Sequence, residues 1–197
     1  SEMEIDDLNK FRIILGSRSP RRQELLRDLG LKFEVVTKDW EEYYPEDLSG
    51  PEIALYVAEG KAKSFLPEIR TNEIVITADT IVWCDGEVLS KPSDREDARR
   101  IIRKISGRTH EVITGVCLLS SEKMVSFQSS TRVTFSELTD EEIVHYISRY
   151  KPYDKAGAYG IQEWIGIAAC SSIEGSYFNV VGLPVAQVYS ELKKFVL

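Results

Sequence analysis

The chain has 197 residues and is 43% hydrophobic, which is enough to bury the core of one compact domain or of two lobes around a cleft. Its formal net charge of −7, with acids and bases spread along the chain, argues against a nucleic-acid-binding surface. No stretch reaches the ~18 consecutive apolar residues of a membrane helix, and two histidines leave little for a zinc site. Widely separated cysteines predict buried thiols in a reducing compartment: Cys84, Cys117 and Cys170. We therefore expect a cytoplasmic protein that binds neither nucleic acid nor membranes.

The chain start is predicted to lie outside the folded domain. Residues 1–10 are expected to form an N-terminal extension, and residues 11–197 a single domain. Ser1 and Glu2 before Met3 are typical of a remnant of an expression vector, and the acidic start is not that of a signal peptide.

A short strand, a small-residue turn and a helix are predicted to open this domain. Residues 12–15 are mostly apolar, and residues 16–19 supply the turn. Ser19 is the expected N-cap, Pro20 the first helical residue and Gly30 the stop.

Two arginines then break the usual charge rule for helices. Arg21 and Arg22 lie in the first turn, where the helix dipole is already positive. Together with the exposed N–H groups of a helix start, two guanidinium groups can bind a phosphate or a carboxylate. The alternative is a pair of solvated arginines on a surface helix. The segment is not a P-loop, because the chain contains no G-x-x-x-x-G-K-[ST] motif.

A carboxylate interrupts the most strand-like run of the chain, residues 74–84. This run is apolar on both faces, as in a central strand that is covered on both sides. Because a buried charge without a partner is costly, a cation, a metal ion or several N–H donors must meet Asp79. The alternative is an aspartate that only caps its own turn.

A second helix is predicted from Gly50 to about Phe65. At ~100° per residue, Lys61 falls on the apolar stripe of this helix, whereas Lys63 lies on the opposite face. Lys61 can therefore point from the packed side into a cleft, or extend its stem along the apolar surface towards water.

The remaining elements complete an α/β pattern. An acidic loop at residues 39–47 follows a strand at residues 32–36, and Asp85-Gly86 indicates a tight hairpin. Further predictions are capping boxes at Ser93–Glu96 and Thr139–Glu142, an antiparallel pair from Glu111–Leu119 and Met124–Phe135, strands at Ile165–Cys170 and Tyr177–Val181, and a last helix from Gly182. The predicted fold class is α/β, with a mixed twisted sheet, flanking helices and two lobes around a central cleft.

Four ordered motifs carry a resemblance to a known family. Leu-Gly-Ser-Arg-Ser-Pro-Arg-Arg-Gln-Glu-Leu-Leu at residues 15–26 closely resembles the opening motif of the Maf family of nucleoside triphosphate pyrophosphatases. Residues 78–82 and 106–110 are similar to its further motifs, and residues 154–162 to its uridine/thymidine-type subgroup. Thr77 replaces the usual glycine, and Trp164 replaces the small residues usual after the last motif. The resemblance implies a fold related to the inosine triphosphate pyrophosphatases, and a homodimer.

The resemblance also implies an activity and a set of site residues. The activity is hydrolysis of a nucleoside triphosphate, preferably dTTP or UTP, between the α and β phosphates. The implied substrate-binding residues are Ser17, Ser19, Arg21, Arg22, Lys61, Lys91 and Gln162. Asp79 is the implied catalytic residue, and Asp79 with Glu42 would bind a divalent cation such as Mg²⁺ or Mn²⁺. Glu41 is the alternative to Glu42, and Asp79 could equally be the general base.

Other functions stay open from the sequence. The family name has long carried a role in septum formation, so a non-catalytic nucleotide-binding regulator of cell division is one alternative. A phosphomonoesterase that uses the same anion site is another. A house-cleaning role against modified pyrimidine nucleotides is a third possibility, compatible with pyrophosphatase activity.

Overall fold

The computed structural model describes residues 5–197 and shows a mixed α/β fold. Residues 1–4 of the predicted N-terminal extension, with Ser1 and Glu2, lie outside the described residues. The strands are β1 (Arg12–Leu15), β2 (Phe33–Val35), β3 (Glu73–Cys84), β4 (Glu87–Leu89), β5 (Thr109–Leu119), β6 (Met124–Phe135) and β7 (Cys170–Glu174). The helices are α1 (Ile5–Leu8), α2 (Pro20–Asp28), α3 (Gly50–Lys63), α4 (Arg95–Ile105), α5 (Asp140–Tyr150), α6 (Trp164–Ala169), α7 (Tyr177–Val181) and α8 (Val185–Val196). A 3₁₀ turn covers Ala156–Ala158.

One seven-stranded sheet organises the chain, in the order β2-β1-β3-β5-β6-β7, with β4 also paired to β3. β1 runs parallel to both β2 and β3, whereas β3–β4 and β6–β7 are antiparallel pairs. The predicted fold class, a mixed sheet with flanking helices, is confirmed. None of the helices described between residues 5 and 197 is long and apolar enough to cross a membrane.

The described residues divide into two compact units. The first takes the chain up to Asp79, with Thr114–Ser129 and Gly182–Leu197, and the second takes Thr80–Ile113 with Ser130–Val181. The single domain over residues 11–197 and the cleft between two lobes stay predictions.

Helix α3 packs directly on the strands of the first unit. Thr77 donates a hydrogen bond of 2.7 Å from its hydroxyl to the carbonyl of Ala58. At Gly115 a Cβ atom would lie 2.5 Å from the carbonyl of Ala54, so glycine is required for the helix backbone to approach the strand this closely. The core beside these contacts is formed by Ile14, Ala58, Ala62, Phe65, Val75, Cys117 and Leu119. This packing places the last turn of α3 next to Ala78 and Asp79 in the middle of β3.

The second unit has a core between α4 and α5 and a buried aromatic cluster. His110 and the Tyr159 hydroxyl share a hydrogen bond of 2.5 Å, and both rings meet Phe135 edge-on. Burial lowers the pKa of His110 to about 4, so the ring is neutral at physiological pH. The three cysteines are thiols; Cys84 and Cys117 are buried, and Cys170 is partly exposed.

Most predicted elements are confirmed, including the hairpin at Asp85-Gly86, where both residues have positive φ. The capping box at Thr139–Glu142 is also confirmed. The one at Ser93–Glu96 is wrong, because Asp94 is the N-cap and accepts a hydrogen bond from the backbone N–H of Asp97.

Two predicted strands near the C-terminus are helices. Ile165–Cys170 is mostly α6, and Tyr177–Val181 is α7. Asn179 explains the second error, because its buried side-chain amide donates to the Val112 carbonyl and to the Thr131 hydroxyl. A tertiary contact of this kind overrides the strand preference of apolar residues.

Candidate active site

The turn before α2 is fixed by its own two serines. The backbone N–H of Ser19 donates to the Ser17 hydroxyl at 3.1 Å, and the Ser19 hydroxyl accepts from the backbone N–H of Arg22 at 3.3 Å. The N-cap and the proline at the first helical position are therefore confirmed. A phosphate that bound the Ser19 backbone would have to replace its bond to Ser17.

Arg22 is anchored at the start of this helix by the far end of the chain. Its Nε donates to the carbonyl of Gly182 at 2.8 Å. Gly182 has a φ of 146°, which favours glycine. Burial lowers the pKa of Arg22, while the nearby Asp79 carboxylate acts in the opposite direction. An arginine stays charged under such conditions, so Arg22 presents a held positive charge close to Asp79.

Lys61 meets the buried carboxylate from the last turn of α3. Its Nζ donates to the Ala78 carbonyl at 3.2 Å and lies 3.5 Å from an oxygen of Asp79. A third oxygen, from Glu42, is also 3.5 Å from the same nitrogen. Of the partners that the sequence left open for Asp79, a cation is present, and it is Lys61. Lys63 is exposed.

Asp79 has the electrostatic setting of a proton acceptor. Burial raises the pKa of its carboxyl group, and Glu42 raises it further, while the charges of Lys61 and Arg22 lower it. A raised pKa makes the carboxylate a better base than an exposed aspartate, provided that it stays ionised. The cluster therefore combines one candidate base with two held cations.

Glu42, rather than Glu41, reaches the cluster. Its carboxylate is 56% exposed and comes from the acidic loop between β2 and α3. The loop prediction for this segment is confirmed. The sequence left the two neighbouring glutamates open, and the contact with Lys61 distinguishes them.

The two other predicted substrate residues lie in the second unit. Lys91 is exposed just after β4, and Gln162 is exposed just before α6. The residue after Gln162 is held in place, because Glu163 accepts a hydrogen bond of 2.6 Å from the Tyr146 hydroxyl. The same hydroxyl accepts from the backbone N–H of Gly160 at 3.1 Å. The backbone on both sides of Gln162 is therefore fixed, while the roles of Lys91 and Gln162 stay predictions.

The family profile described as "Maf-like protein" matches residues 12–195. The chain belongs to the Maf family. It is 55% identical to a dTTP/UTP pyrophosphatase of Phocaeicola vulgatus, over 96% of this chain and 99% of that protein. It is 51% identical to a dTTP/UTP pyrophosphatase of Flavobacterium johnsoniae, over 97% and 98%.

Among solved structures, the chain is similar to a nucleoside-triphosphatase / dITP/XTP pyrophosphatase from Mycobacterium abscessus. The match covers 94% of this chain and 96% of that one, with 15% sequence identity and a TM-score of 0.46.

Within this Maf chain, sequence reasoning missed two residues that hold parts of the candidate site in place. Gly182 holds Arg22, and its only signal was a glycine before the last helix. Tyr146 lies on the buried face of α5, and its hydroxyl contacts both Glu163 and Gly160. These contacts join residues far apart in the chain, so no local pattern predicts them.

Proposed function

We propose that this chain hydrolyses dTTP and UTP between the α and β phosphates, releasing a nucleoside monophosphate and pyrophosphate. The observation that carries the proposal is the cluster of Lys61, Asp79 and Glu42, electrostatically coupled to Arg22 at a helix start. The names of the two relatives described above support the substrate. An anion site next to a buried carboxylate is what hydrolysis of a phosphoric anhydride needs.

The cations hold the triphosphate. Arg21 and Arg22 offer guanidinium groups that can bind phosphate oxygens in pairs, and Lys61 offers a compact charge. Lys91 adds a further phosphate contact, and the Ser17 and Ser19 backbone lines the helix start. Charge neutralisation and positioning lower the barrier, because phosphoryl transfer needs little covalent help from the protein.

Asp79 acts on the attacking water in this proposal. Water attacks the α-phosphorus, a new P–O bond forms, and the bond to the bridging oxygen breaks. The electron pair leaves with pyrophosphate, and the proton of the water passes to the Asp79 carboxylate. The raised pKa of Asp79 favours this transfer.

The donor set suits a hard divalent cation. Carboxylate oxygens of Glu42 and Asp79 both lie 3.5 Å from the ammonium group of Lys61, which supports their proposed role as joint ligands of a cation. Among residues 5–197 no group of three or more His, Cys, Asp and Glu side chains could hold a metal ion. Mg²⁺ is often bound by one or two carboxylates together with substrate phosphates. When bound, Mg²⁺ or Mn²⁺ would neutralise charge on the triphosphate.

The base preference follows from the chemistry of Gln162. Its amide carries a donor and an acceptor on one rigid group, which matches N3–H and O4 of uracil and thymine. Cytosine presents the opposite pattern, so the amide would have to turn over before it could pair with this base. Adenine and guanine need a larger pocket, and Trp164, whose ring packs on His145, reduces the room. A wrong base would leave polar groups unpaired, which selects strongly.

One nucleotide panel tests this function. UTP, dTTP, CTP, ATP and GTP are incubated with Mg²⁺, and pyrophosphate and orthophosphate are measured separately. We expect pyrophosphate from UTP and dTTP. Orthophosphate as the first product would identify a phosphomonoesterase, and tight binding without turnover would identify a regulator of cell division.

Base selection is tested with Gln162→Ala. We expect kcat/KM for UTP and dTTP to fall towards that for CTP. Equal kcat/KM for all five nucleotides with the wild type would refute base selection, and unchanged selectivity in the variant would clear Gln162 of the role.

The proposal includes a cytoplasmic homodimer without nucleic acid or membrane partners. The family resemblance supports the dimer, and the three thiols are compatible with a reducing compartment. Light scattering after size-exclusion chromatography measures the oligomeric state directly.

A further inference from the structure

An aromatic side chain in the acidic loop is seated on α3 beside the functional lysine. The indole ring of Trp40 lies against Gly60, where an added Cβ atom would be 2.2 Å from ring atom Cζ2. Gly60 immediately precedes Lys61 in the helix. No side chain other than hydrogen therefore lets the ring sit at this point.

The same loop also makes ion pairs with other parts of the chain. We call residues 38–42 the acidic strap. Lys38 pairs with Glu68 at 2.7 Å, and Asp39 pairs with Arg18 at 3.2 Å. Each of these ion pairs has at least one largely exposed partner. Exposed ion pairs contribute only about 0–1 kcal/mol, so they fix the strap loosely.

Glu42 needs a firmer support than its own ion pair. Its carboxylate is 56% exposed and meets Lys61 at 3.5 Å. Two residues earlier, Trp40 supplies a large apolar surface, and aromatic side chains dominate contacts of this kind. Because the Trp40 ring is seated on Gly60, the residue before Lys61, it fixes the position of the strap along α3.

We propose that Trp40 is a positioning residue: its ring, seated on Gly60, places the Glu42 carboxylate against Lys61 and thereby beside Asp79. The proposal rests on the proposed function, because it assumes that Glu42 acts in hydrolysis. Trp40 itself touches neither the substrate nor the reacting atoms. A misplacement of about 1 Å can cost ~10²-fold in rate, so an exposed carboxylate gains much from such a support.

A double-mutant cycle tests whether Trp40 acts through Glu42. The variants are Trp40→Ala, Glu42→Gln and their combination, with kcat/KM for UTP or dTTP as the readout. We expect Trp40→Ala to lower kcat/KM by about tenfold, and to lower it by less than about twofold when Glu42→Gln is already present. Independent, multiplying losses would overturn the proposal.

Two further variants provide the controls: one keeps an aromatic ring at position 40, and the other removes a neighbouring aromatic ring. Trp40→Phe keeps an aromatic ring on Gly60 and should recover kcat/KM to within about threefold of the wild type. Tyr43→Ala removes the next aromatic residue of the loop, which is 65% exposed, and should leave kcat/KM unchanged. A loss with Tyr43→Ala equal to that with Trp40→Ala would mean that any change in the loop disturbs the enzyme, and would overturn the specific role of Trp40.

Fluorescence gives a readout that needs no turnover. The emission spectrum of Trp40 is obtained by subtracting the spectrum of a Trp40→Phe variant from that of the protein that retains Trp40. This subtraction is made twice, once for proteins with Gly60 and once for proteins with Gly60→Ala. We expect Gly60→Ala to shift this emission to longer wavelength and to lower kcat/KM, because the added methyl group displaces the ring. A shift with unchanged kcat/KM would overturn the positioning role. A wild type that releases no pyrophosphate would instead refute the proposed function, while the emission shift would still report the Trp40–Gly60 contact.

Discussion

Asp79→Asn is the sharpest test of the cluster, because it removes one charge and keeps the shape. If Asp79 accepts a proton from the attacking water, or binds the cation beside the α-phosphate, its amide is too weak a base for the first role and an uncharged, weaker ligand in the second. Loss of one well-placed acid–base group costs about 10²–10⁴ in rate, which corresponds to about 3–5 kcal/mol in the barrier. The assay is pyrophosphate release from dTTP at saturating and limiting substrate, which gives kcat and KM separately.

Although Asp79→Asn should lower the rate, we do not expect it to lower the free energy of unfolding. An ion pair at 3.5 Å with Lys61 is worth about 5 kcal/mol before desolvation, at an effective dielectric constant of ~20. Burying a carboxylate costs several kcal/mol, so the two effects nearly cancel. Because burial raises the pKa of Asp79, its cost exceeds the attraction. We therefore expect Asp79→Asn to leave the free energy of unfolding unchanged or to raise it.

The dependence on pH follows from linkage. A raised folded-state pKa means that the folded protein binds the proton more readily than the unfolded chain, so stability falls as pH rises from the ordinary pKa of aspartic acid to the raised one. The stability gained by Asp79→Asn should therefore appear above this window and vanish below it. Urea denaturation of the wild type and of Asp79→Asn, at neutral pH and at a pH below the ordinary pKa of aspartic acid, measures the stability difference on each side of the window. Asp28→Asn, at an exposed aspartate, is the control. A folded variant with near-normal turnover would refute the catalytic role.

Three further predictions concern other parts of the chain. Lys61→Ala should lower kcat/KM for dTTP by at least ~10²-fold, whereas Lys63→Ala should stay within about ±0.5 kcal/mol in stability and near the wild type in rate; the reverse order would mean that the other face of α3 serves the site. Gly115→Ala should lower the free energy of unfolding in urea by about 1–3 kcal/mol, because its methyl group would lie 2.5 Å from the Ala54 carbonyl, and no change would show that α3 can move away. The pKa of His110 is lowered to about 4 by burial, so stability should fall as pH drops from 6.5 to 4, by about 3 kcal/mol in total. His110→Phe should abolish this dependence in urea denaturation, and a persisting dependence would assign it to other groups.

The sequence was informative where a local rule was broken. A carboxylate within an apolar strand required a cation, a metal ion or several N–H donors as its partner, and the phase of one helix offered Lys61 rather than Lys63. Both inferences use one element at a time, and periodicity determines them. The family motifs then placed the acid of the loop on Glu42, which a featureless acidic segment could not have done.

The remaining features depend on contacts between distant parts of the chain. Gly182 holds Arg22 across 160 positions, and Trp40 rests on Gly60 from a loop without periodicity. The error at α7 has the same origin, because the buried amide of Asn179 in this helix bonds to residues of β5 and β6. Local propensity contains no information about such partners, so only the folded chain reveals them.

Several hydrogen-bond acceptors surround Lys61, and they limit how tightly its ammonium group can bind an anion. Three oxygens already lie within 3.5 Å of its ammonium group: the Ala78 carbonyl and the carboxylates of Glu42 and Asp79. Under the proposed function, a phosphate that binds Lys61 would compete with internal carboxylates, and its binding would be an exchange of partners rather than a simple gain. Such competition weakens ground-state affinity for the substrate and for pyrophosphate alike. An enzyme gains rate from interactions that strengthen only in the transition state, so under the proposed function the resting partners of Lys61 would favour the release of pyrophosphate.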